Sequence, residues 1–281
     1  MLPVDFQFSQ ASLQAYVDCP RRFQLRYVRR VRWPAVEAQP ILDNERHLRQ
    51  GAALHRLIRQ HLMGISAKTL SDTVSDAELR RWWHNYLENG PADLPPQRYP
   101  ELMLSAPLAG HRLVARYDLI AVDAGGQAVI VDWKTNRKRP RRAWLAQRVQ
   151  THVYPYLIIR GTDELEGGAG IRPDSVTMLY WFANFPAETE RFAYDGARYA
   201  SDGRRLVTLV EEIEDAVGGC SEGDLMSRTE DEGRCSMCRY RSLCERGIEP
   251  GYLSDANEDL GVGDANGLEL EFEQIAELEV G

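Results

Sequence analysis

Two short apolar segments joined by a glycine-containing turn decide the fold of this chain. Residues 113–122 read LVARYDLIAV, residues 123–126 read DAGG, and residues 128–134 read AVIVDWK. Strand-forming residues dominate both segments, and the turn between them contains two glycines. This pattern predicts a β-hairpin. Each strand carries one aspartate in apolar surroundings, Asp118 in the first and Asp132 in the second.

The two aspartates and Lys134 are the first candidates for chemistry. Burial of a carboxylate is unfavourable unless a positive group meets it. Lys134 lies two residues after Asp132, so strand alternation places both side chains on one face. Two carboxylates and a lysine at the end of a hairpin could bind a divalent cation and a polarised water. The alternative is an exposed ion pair at a strand end, which contributes little to stability.

Asp118 followed by Asp132-Trp133-Lys134 resembles the signature of the PD-(D/E)XK nuclease superfamily, an acid on one strand and acid-x-lysine on the next. The resemblance implies an α/β fold with a restriction-endonuclease-like core, in which helices flank a mixed central sheet. It also implies that Asp118 and Asp132 hold one or two Mg²⁺ or Mn²⁺ ions, assisted by the Trp133 carbonyl. Lys134 would then orient the attacking water or stabilise the transition state.

A Gly-x-x-x-His element precedes the hairpin. Gly51 and His55 lie in a helix predicted over residues 45–63, and His55 shares a face with apolar neighbours. A lone inward histidine is often a core residue, but RecB-type nucleases keep a metal-binding histidine here. The resemblance therefore makes His55 a metal ligand. Glu101, in the strand predicted over residues 99–107, is interpreted as a solvent-facing acid, although related nucleases often place a supporting acid there.

A Gln-x-x-x-Tyr element follows the hairpin. Gln150 and Tyr154 are spaced to share one face of a helix predicted over residues 143–160. The same element follows the catalytic lysine in RecB-type nucleases, so both residues are expected to position the nucleic-acid strand. One departure is Ala115, which stands where the family usually has glycine; alanine is also small.

Four of the five cysteines form a second pattern. Cys235, Cys238 and Cys244 are spaced as Cys-x2-Cys-x5-Cys, and Cys19 precedes Pro-Arg-Arg-Phe near the other end of the chain. Four thiolates suit one metal centre, and the spacing alone leaves zinc and iron–sulfur open. The similarity to AddB and to CRISPR-associated RecB-like exonucleases implies a [4Fe–4S] centre whose cap joins the two termini. Cys220 is interpreted as a spare thiol.

Basic side chains follow both Cys19 and Lys134. The alternative to a function is a solvated basic surface. Beside a metal site, such side chains are expected to contact phosphates on either side of the bond that is cut. The expected DNA-binding residues are Arg21, Arg22, Arg137, Lys138, Arg139, Arg141 and Arg142.

The net charge of −8 is unevenly distributed. Ten of the 42 acidic residues lie in residues 249–281, and no lysine or arginine follows Arg246. The rest of the chain, which we call the body, therefore has 34 basic and 32 acidic residues. A nearly neutral body with local basic patches suits a DNA-processing enzyme. The tail is predicted to be disordered. Residues 268–275 could instead dock on a partner as a short amphipathic helix, or the tail could compete with DNA for the basic groove.

These patterns predict four regions. They are an N-terminal helix with the first cluster cysteine (1–40), the nuclease core (41–219), the C-terminal cysteine cluster (220–248) and the acidic tail (249–281). Other predicted elements are a capped helix within 8–19, helices over 75–89 and 203–217, and strands over 175–183 and 190–194. No apolar run is long enough to span a bilayer and no secretory signal is present, so the cytoplasm is the expected location.

The function implied by the resemblance is metal-dependent hydrolysis of DNA phosphodiesters, by an exonuclease acting on single-stranded ends. The expected setting is DNA repair, recombination or CRISPR adaptation, with a helicase or CRISPR adaptation proteins as partners. Two other classes stay open. A non-catalytic DNA-end-binding subunit of a helicase–nuclease complex would bind DNA without cleaving it, and a zinc-stabilised interaction protein would show no dependence on Mg²⁺ or Mn²⁺.

Overall fold

A computed structural model describes residues 2–3, 5–31, 39–161, 170–221, 223–235 and 238–247. The acidic tail, with both of its expected roles, lies outside these residues. Among the helices that fall within them, none is long and apolar enough to cross a bilayer.

Six strands form one mixed sheet around the predicted hairpin. They are β1 (Gln7–Ser9), β2 (Gln97–Leu108), β3 (His111–Val122), β4 (Ala128–Lys134), β5 (Val176–Phe182) and β6 (Glu190–Ala193). β3 pairs antiparallel with β2 along its length and antiparallel with β4 at its end. β4 pairs parallel with β5, and β5 antiparallel with β6. The short β1, which the sequence did not predict, pairs parallel with the start of β3. The predicted α/β class with a mixed sheet is therefore confirmed.

Helices cover both faces of this sheet. They are α1 (Gln10–Asp18), α2 (Pro20–Phe23), α3 (Gln39–Leu62), α4 (Ala67–Thr73), α5 (Ala77–Asn89), α6 (Arg142–Gln147), α7 (Val149–Arg160) and α8 (Gly196–Gly218). Ser9 caps α1 as predicted, in a reciprocal capping box with Ser12. The single helix predicted over residues 143–160 is instead two helices, because Arg148 is extended, with ψ of 138°. α8 begins before the predicted residue 203 because the Asp195 side chain caps it.

Two apolar layers flank the sheet. α1, α7 and α8 pack on one face, where Leu13, Leu157 and Val210 belong to the main buried cluster. α3, α4 and α5 cover the other face, where the buried Trp82 and Trp181 belong to a second cluster. The N-terminal segment is thus continuous with the sheet that carries the candidate site, because β1 and α1 both pack in the main cluster.

The strand alternation changes phase inside the β2–β3 pair. Leu113, Ala115 and Tyr117 of β3 face the main cluster, but further along the strand Ile120 faces it and Leu119 faces the opposite layer. The phase change falls where Glu101 of β2 lies between the pairs Pro100–Leu119 and Leu102–Tyr117, opposite Asp118. Glu101 has φ of +55°, a left-handed conformation that is uncommon for a residue with a side chain. The chain is therefore distorted at two acidic residues.

The N-terminal segment packs against the C-terminal part of the described chain. A π-helical turn (Gln24–Val28) follows α2. The Arg21 amide donates to the Ser227 carbonyl at 3.0 Å, and Gln24 exchanges hydrogen bonds with the Asp224 carbonyl and the Met226 amide, each at 2.9 Å. A small apolar cluster of Leu25, Tyr240 and Cys244 completes the contact. We call this region the terminal cap.

Candidate active site

His55 connects α3 to both strands of the hairpin. Its Nδ1 lies 3.0 Å from Asp118 Oδ1, and its Nε2 lies 3.0 Å from the Trp133 carbonyl oxygen. The Trp133 amide donates to Asp118 Oδ2 at 2.8 Å. Gly51 allows α3 to approach the residues after β4, because an added Cβ there would lie only 3.1 Å from Thr135 Oγ1. The spacing of Gly51 and His55 therefore has a geometric reason. The glycine allows α3 to lie close to the hairpin, and His55 needs this closeness to reach Asp118 and Trp133.

Glu101 belongs to this site. One ligand atom each of His55, Glu101 and Asp118 lies within 4.8 Å of the other two. The Glu101 carboxylate also contacts Arg116 Nε at 3.3 Å, and its side chain is only 19% exposed. The interpretation of Glu101 as a solvent-facing acid is therefore wrong. Glu101 and Asp118 lie opposite each other on neighbouring antiparallel strands, so their carboxylates face the same side of the sheet.

Asp132, Lys134 and Gln150 form the second half of the site. Lys134 Nζ lies 2.8 Å from Asp132 Oδ2 and donates to Gln150 Oε1 at 2.9 Å. Gln150 Nε2 donates to Asp132 Oδ1 at 2.5 Å. Asp132 Oδ2 is buried, and Lys134 Nζ is its ion-pair partner. α7 thus holds the catalytic-lysine candidate through Gln150.

Burial and mutual charge shift the pKa values of these groups. Burial opposes protonation of His55, but the adjacent Asp118 raises the pKa of His55 to about 9. Burial alone would raise the pKa of Asp118, yet the His55 charge and the Trp133 N–H hold it below the ordinary value. Burial raises the pKa of Asp132 despite Lys134. Burial and the charge of Asp118 also raise the pKa of Glu101. These shifts indicate crowded negative charge that a cation would relieve.

The donor set fits a divalent cation. His55, Glu101 and Asp118 offer an imidazole nitrogen and carboxylate oxygens within one small volume, which suits first-row divalent ions such as Mn²⁺. The buried Asp132 carboxylate, paired with Lys134, is a further candidate oxygen ligand. His55 and Asp118 therefore lie in one group that could hold a metal ion, together with Glu101, which the sequence interpretation took as solvent-facing. That His55, Asp118 and Asp132 bind a metal stays a prediction.

Tyr154 lies in a fork of the sheet. β1 pairs with β3 only as far as Val114, and β4 pairs with β3 only from Leu119 onward. Between these two residues, this edge of β3 has neither β1 nor β4 beside it. The Tyr154 hydroxyl donates to the Arg116 carbonyl at 2.9 Å within this gap, and the Tyr117 hydroxyl donates to the Tyr154 carbonyl at 3.0 Å. Tyr154 therefore supports β3 next to Asp118. Its predicted contact with a nucleic-acid strand stays a prediction.

The four cysteines of the pattern line one cavity in the terminal cap, where Cys19 from the N-terminal segment meets Cys235, Cys238 and Cys244. Burial raises the pKa values of the Cys235 and Cys238 thiols, and the neighbouring thiols add to the effect. Among the His, Cys, Asp and Glu side chains of the described residues, only His55, Glu101 and Asp118 form a group of three with ligand atoms within 4.8 Å of one another. No three of the cysteine sulfurs are therefore that close together.

Arginines surround this cavity. Arg22 contacts Asp18 at 2.8 Å, and Arg21 Nε donates to the Met226 carbonyl at 2.8 Å. The cavity is lined in addition by Arg228, Arg234, Arg241 and Arg246. Both N-terminal arginines that were expected to bind DNA thus have partners inside the cap.

The basic loop after β4 divides into two groups. Arg139 and Arg142 contact Glu190 of β6 at 2.9 and 2.6 Å, and their guanidinium groups lie over the rings of Phe182 and Phe192. These two arginines connect the loop to the sheet. The side chains of the other expected DNA-binding residues in the loop are exposed; they are Arg137, Lys138 and Arg141.

The fold and the site together define an α/β protein with an acid–acid–lysine centre at the fork of a mixed sheet. The family model of the PD-(D/E)XK nuclease superfamily matches residues 7–245, and the chain belongs to this superfamily. Nucleic acid is accordingly the substrate class, and members of the superfamily use divalent metals.

Two solved structures are similar to this chain at low sequence identity, and one of them shares its fold. A protein from Eubacterium rectale, named "Putative exonuclease", is 9% identical, with 84% of this chain and 88% of that chain covered and a TM-score of 0.51. The protein SSO0001 is 11% identical, with 85% and 86% covered and a TM-score of 0.40. A comparison with curated proteins gives no match.

Proposed function

We propose that the protein is a metal-dependent deoxyribonuclease that acts as an exonuclease on single-stranded DNA ends. The observation that carries this proposal is the placement of Lys134 beside Asp132, next to the ligand group of His55, Glu101 and Asp118. Membership of the nuclease superfamily supports hydrolysis of phosphodiesters. The name of the E. rectale protein with a similar fold supports an exonuclease mode.

Each side chain then has a role. His55, Glu101, Asp118 and Asp132 would hold Mg²⁺ or Mn²⁺, with the Trp133 carbonyl as a further oxygen donor. When bound, the ion neutralises charge on the phosphate and makes water a better nucleophile at neutral pH. Lys134 stabilises the negative charge that develops during the reaction. Gln150 fixes the Lys134 ammonium by accepting its hydrogen bond, and so limits the positions that the ammonium can occupy.

A four-cysteine centre in the terminal cap is the second part of the proposal, with Cys19, Cys235, Cys238 and Cys244 as its ligands. Four thiolates can hold either a zinc ion or a [4Fe–4S] cluster, and the four cysteines line one cavity. The lining arginines would compensate the charge of the thiolates. The resemblance to the iron–sulfur exonucleases makes [4Fe–4S] the proposed centre, with zinc as the alternative.

The biological setting follows from the same proposal. A reducing cytoplasm would keep the thiols available to a metal. Repair, recombination or CRISPR adaptation would supply DNA ends, with a helicase or adaptation proteins as partners. The proposed DNA contacts are the exposed basic residues of the loop after β4, which lies directly beyond Lys134.

Cleavage of end-labelled DNA tests the proposal. Wild-type protein should degrade DNA with Mg²⁺ or Mn²⁺ and stop when EDTA is added. Lys134→Ala should lower the single-turnover rate by about 10²–10³-fold, because it removes an electrostatic stabiliser of the transition state. Its affinity for DNA should stay close to that of wild type, since dispersed phosphate contacts supply most of the affinity.

Lys68→Ala provides a matched control, because Lys68 is an exposed lysine on α4. This variant should cut at the wild-type rate. Wild-type-like cleavage by Lys134→Ala would refute the active-site assignment. DNA binding by the wild-type protein without cleavage under any metal condition would favour the non-catalytic end-binding subunit instead.

A further inference from the structure

The helix that carries Gln150 begins without a cap of its own. Arg148 occupies the N-cap position of α7, and its side chain makes no capping hydrogen bond. The Val149 amide instead donates to Oε1 of Gln14, a buried residue of α1, at 2.9 Å. A side chain from a distant helix thus satisfies an amide that the first turn of α7 cannot satisfy.

Gln14 is held in turn by Asp18. Gln14 Nε2 donates to Asp18 Oδ1 at 2.9 Å, one helical turn further along α1. Asp18 is a buried carboxylate that contacts Arg22 at 2.8 Å, Arg148 at 3.9 Å and also Arg234. Arg22 and Arg234 both line the cysteine cavity. One carboxylate therefore joins both segments of the terminal cap to the start of α7.

The active site begins at the next residue. Gln150 follows Val149 directly and bridges Lys134 Nζ and Asp132 Oδ1. The start of α7 sets where the Gln150 backbone lies, and its side-chain amide sets where the Lys134 ammonium lies. A displacement of about 1 Å in such a group can lower a reaction rate about 10²-fold.

We propose that Gln14 and Asp18 are positioning residues that hold Gln150 in register with Lys134 and Asp132. Their contacts connect the terminal cap to the active site. The cap therefore supports the active site in addition to holding its N-terminal and C-terminal segments together. The inference deepens the proposed nuclease function and rests on it for its kinetic readout. It assigns a role to a buried glutamine and a buried aspartate that lie outside the nuclease motifs.

Three substitutions test this role. Gln14→Leu keeps the volume but removes both hydrogen bonds, and it should lower the single-turnover cleavage rate about tenfold to 100-fold with unchanged affinity for DNA. Gln14→Glu keeps an acceptor for the Val149 amide and places a second carboxyl beside Asp18, where a proton shared between the two carboxyls replaces the donated hydrogen bond. Its rate should therefore stay within about twofold of wild type in a mildly acidic buffer, even if its thermal stability falls. Gln10→Leu, the same change one turn earlier on α1, should have no effect on the rate.

A double-mutant cycle separates positioning from general destabilisation. If Gln14 acts through Gln150, then adding Gln14→Leu to Gln150→Ala should cause almost no further loss of rate. Additive losses would overturn the proposal, as would equal rates for Gln14→Leu and wild type. If Gln14→Leu does not fold, the rate of Gln14→Glu decides: a loss as large as that of Gln150→Ala overturns the proposal.

Hydrogen exchange gives a readout that needs no catalysis. The amides at the start of α7 should exchange faster in Gln14→Leu than in wild type, while those of α8 should not change. Unchanged exchange in α7 would refute the role of Gln14. A wild-type protein that binds but never cuts DNA would defeat the nuclease proposal and leave the exchange result to decide the positioning role.

Discussion

His55 uses both of its ring nitrogens in contacts within the candidate site. Nδ1 faces the Asp118 carboxylate and Nε2 faces the Trp133 carbonyl, each at 3.0 Å. Both partners are acceptors, so both nitrogens carry protons, in agreement with a pKa of about 9. At neutral pH a proton on His55 therefore balances the charge of Asp118, and a metal must compete with that proton.

This competition predicts proton release on metal binding. A metal ligand must be neutral imidazole, so Mn²⁺ should displace about one proton at pH 7. Because the His55 pKa is raised, the imidazolium persists up to about pH 9, and metal affinity should increase with pH until that value is passed. Calorimetry in two buffers of different ionisation enthalpy measures the protons released.

His84→Gln is the control, since this histidine is exposed on α5, and it should release protons as wild type does. His55→Gln should bind Mn²⁺ more weakly and without this release. A binding enthalpy that does not depend on the buffer would contradict the assignment of His55 as a ligand.

Single-residue patterns predicted part of this site. Asp118, Asp132 and Lys134 could be predicted because their spacing along a hairpin is a property of sequence. Glu101 is not part of a short motif, because its position beside Asp118 depends on the register between β2 and β3. One signal was available: counting back from the β2–β3 turn, where Leu108 pairs with His111, places Glu101 opposite Asp118.

At the scale of elements, the loop after β4 combines structural and exposed basic residues. Arg139 and Arg142 share Glu190, whose side chain is only 18% exposed. Removal of one of these arginines leaves a partly buried carboxylate with fewer partners, which costs stability. Arg137 is exposed and adjacent to the site. Sequence alone could not separate the two groups, because the distinction depends on a glutamate 51 residues after Arg139.

A pair of alanine substitutions should therefore give opposite results. Arg137→Ala should weaken DNA binding and reduce the salt dependence of log K by about 0.7–0.9, the effect of one lost phosphate contact. Arg139→Ala should instead lower the free energy of unfolding by about 1–3 kcal/mol with a smaller change in DNA affinity. Fluorescence anisotropy at several salt concentrations and urea unfolding measure the two effects. Loss of DNA affinity only in Arg139→Ala would reverse the assignment of the loop.

Helices and strands with a regular pattern of apolar residues were predictable from the sequence. Elements that form because of tertiary contacts were not. The hairpin strands, α1 with its Ser9 cap and α5 follow from local sequence. β1 is three residues long and exists because it pairs with β3. The break between α6 and α7 at Arg148 lies beside the hydrogen bond from the Val149 amide to Gln14, which is more than 130 residues away in the sequence.

At the scale of the whole molecule, the terminal cap closes the chain on itself and brings four cysteines into one cavity. Anaerobically purified protein should be brown and contain iron without stoichiometric zinc. Cys238→Ala should lose the iron and unfold at a lower temperature, because metal binding is linked to folding. Cys220→Ala should keep both properties, since Cys220 packs against the main cluster away from the cavity. One zinc and no iron per chain would establish the zinc alternative and leave the nuclease site untouched.

The location of a bound cation tests the central claim most directly. Crystals soaked in Mn²⁺ should give one strong anomalous peak among His55, Glu101 and Asp118, on the side that the Asp132 Oδ2 atom can reach. Glu101→Gln should weaken that peak under the same conditions, because it removes a charged ligand. A peak elsewhere on the protein, or no peak at a concentration that supports cleavage, would contradict the account.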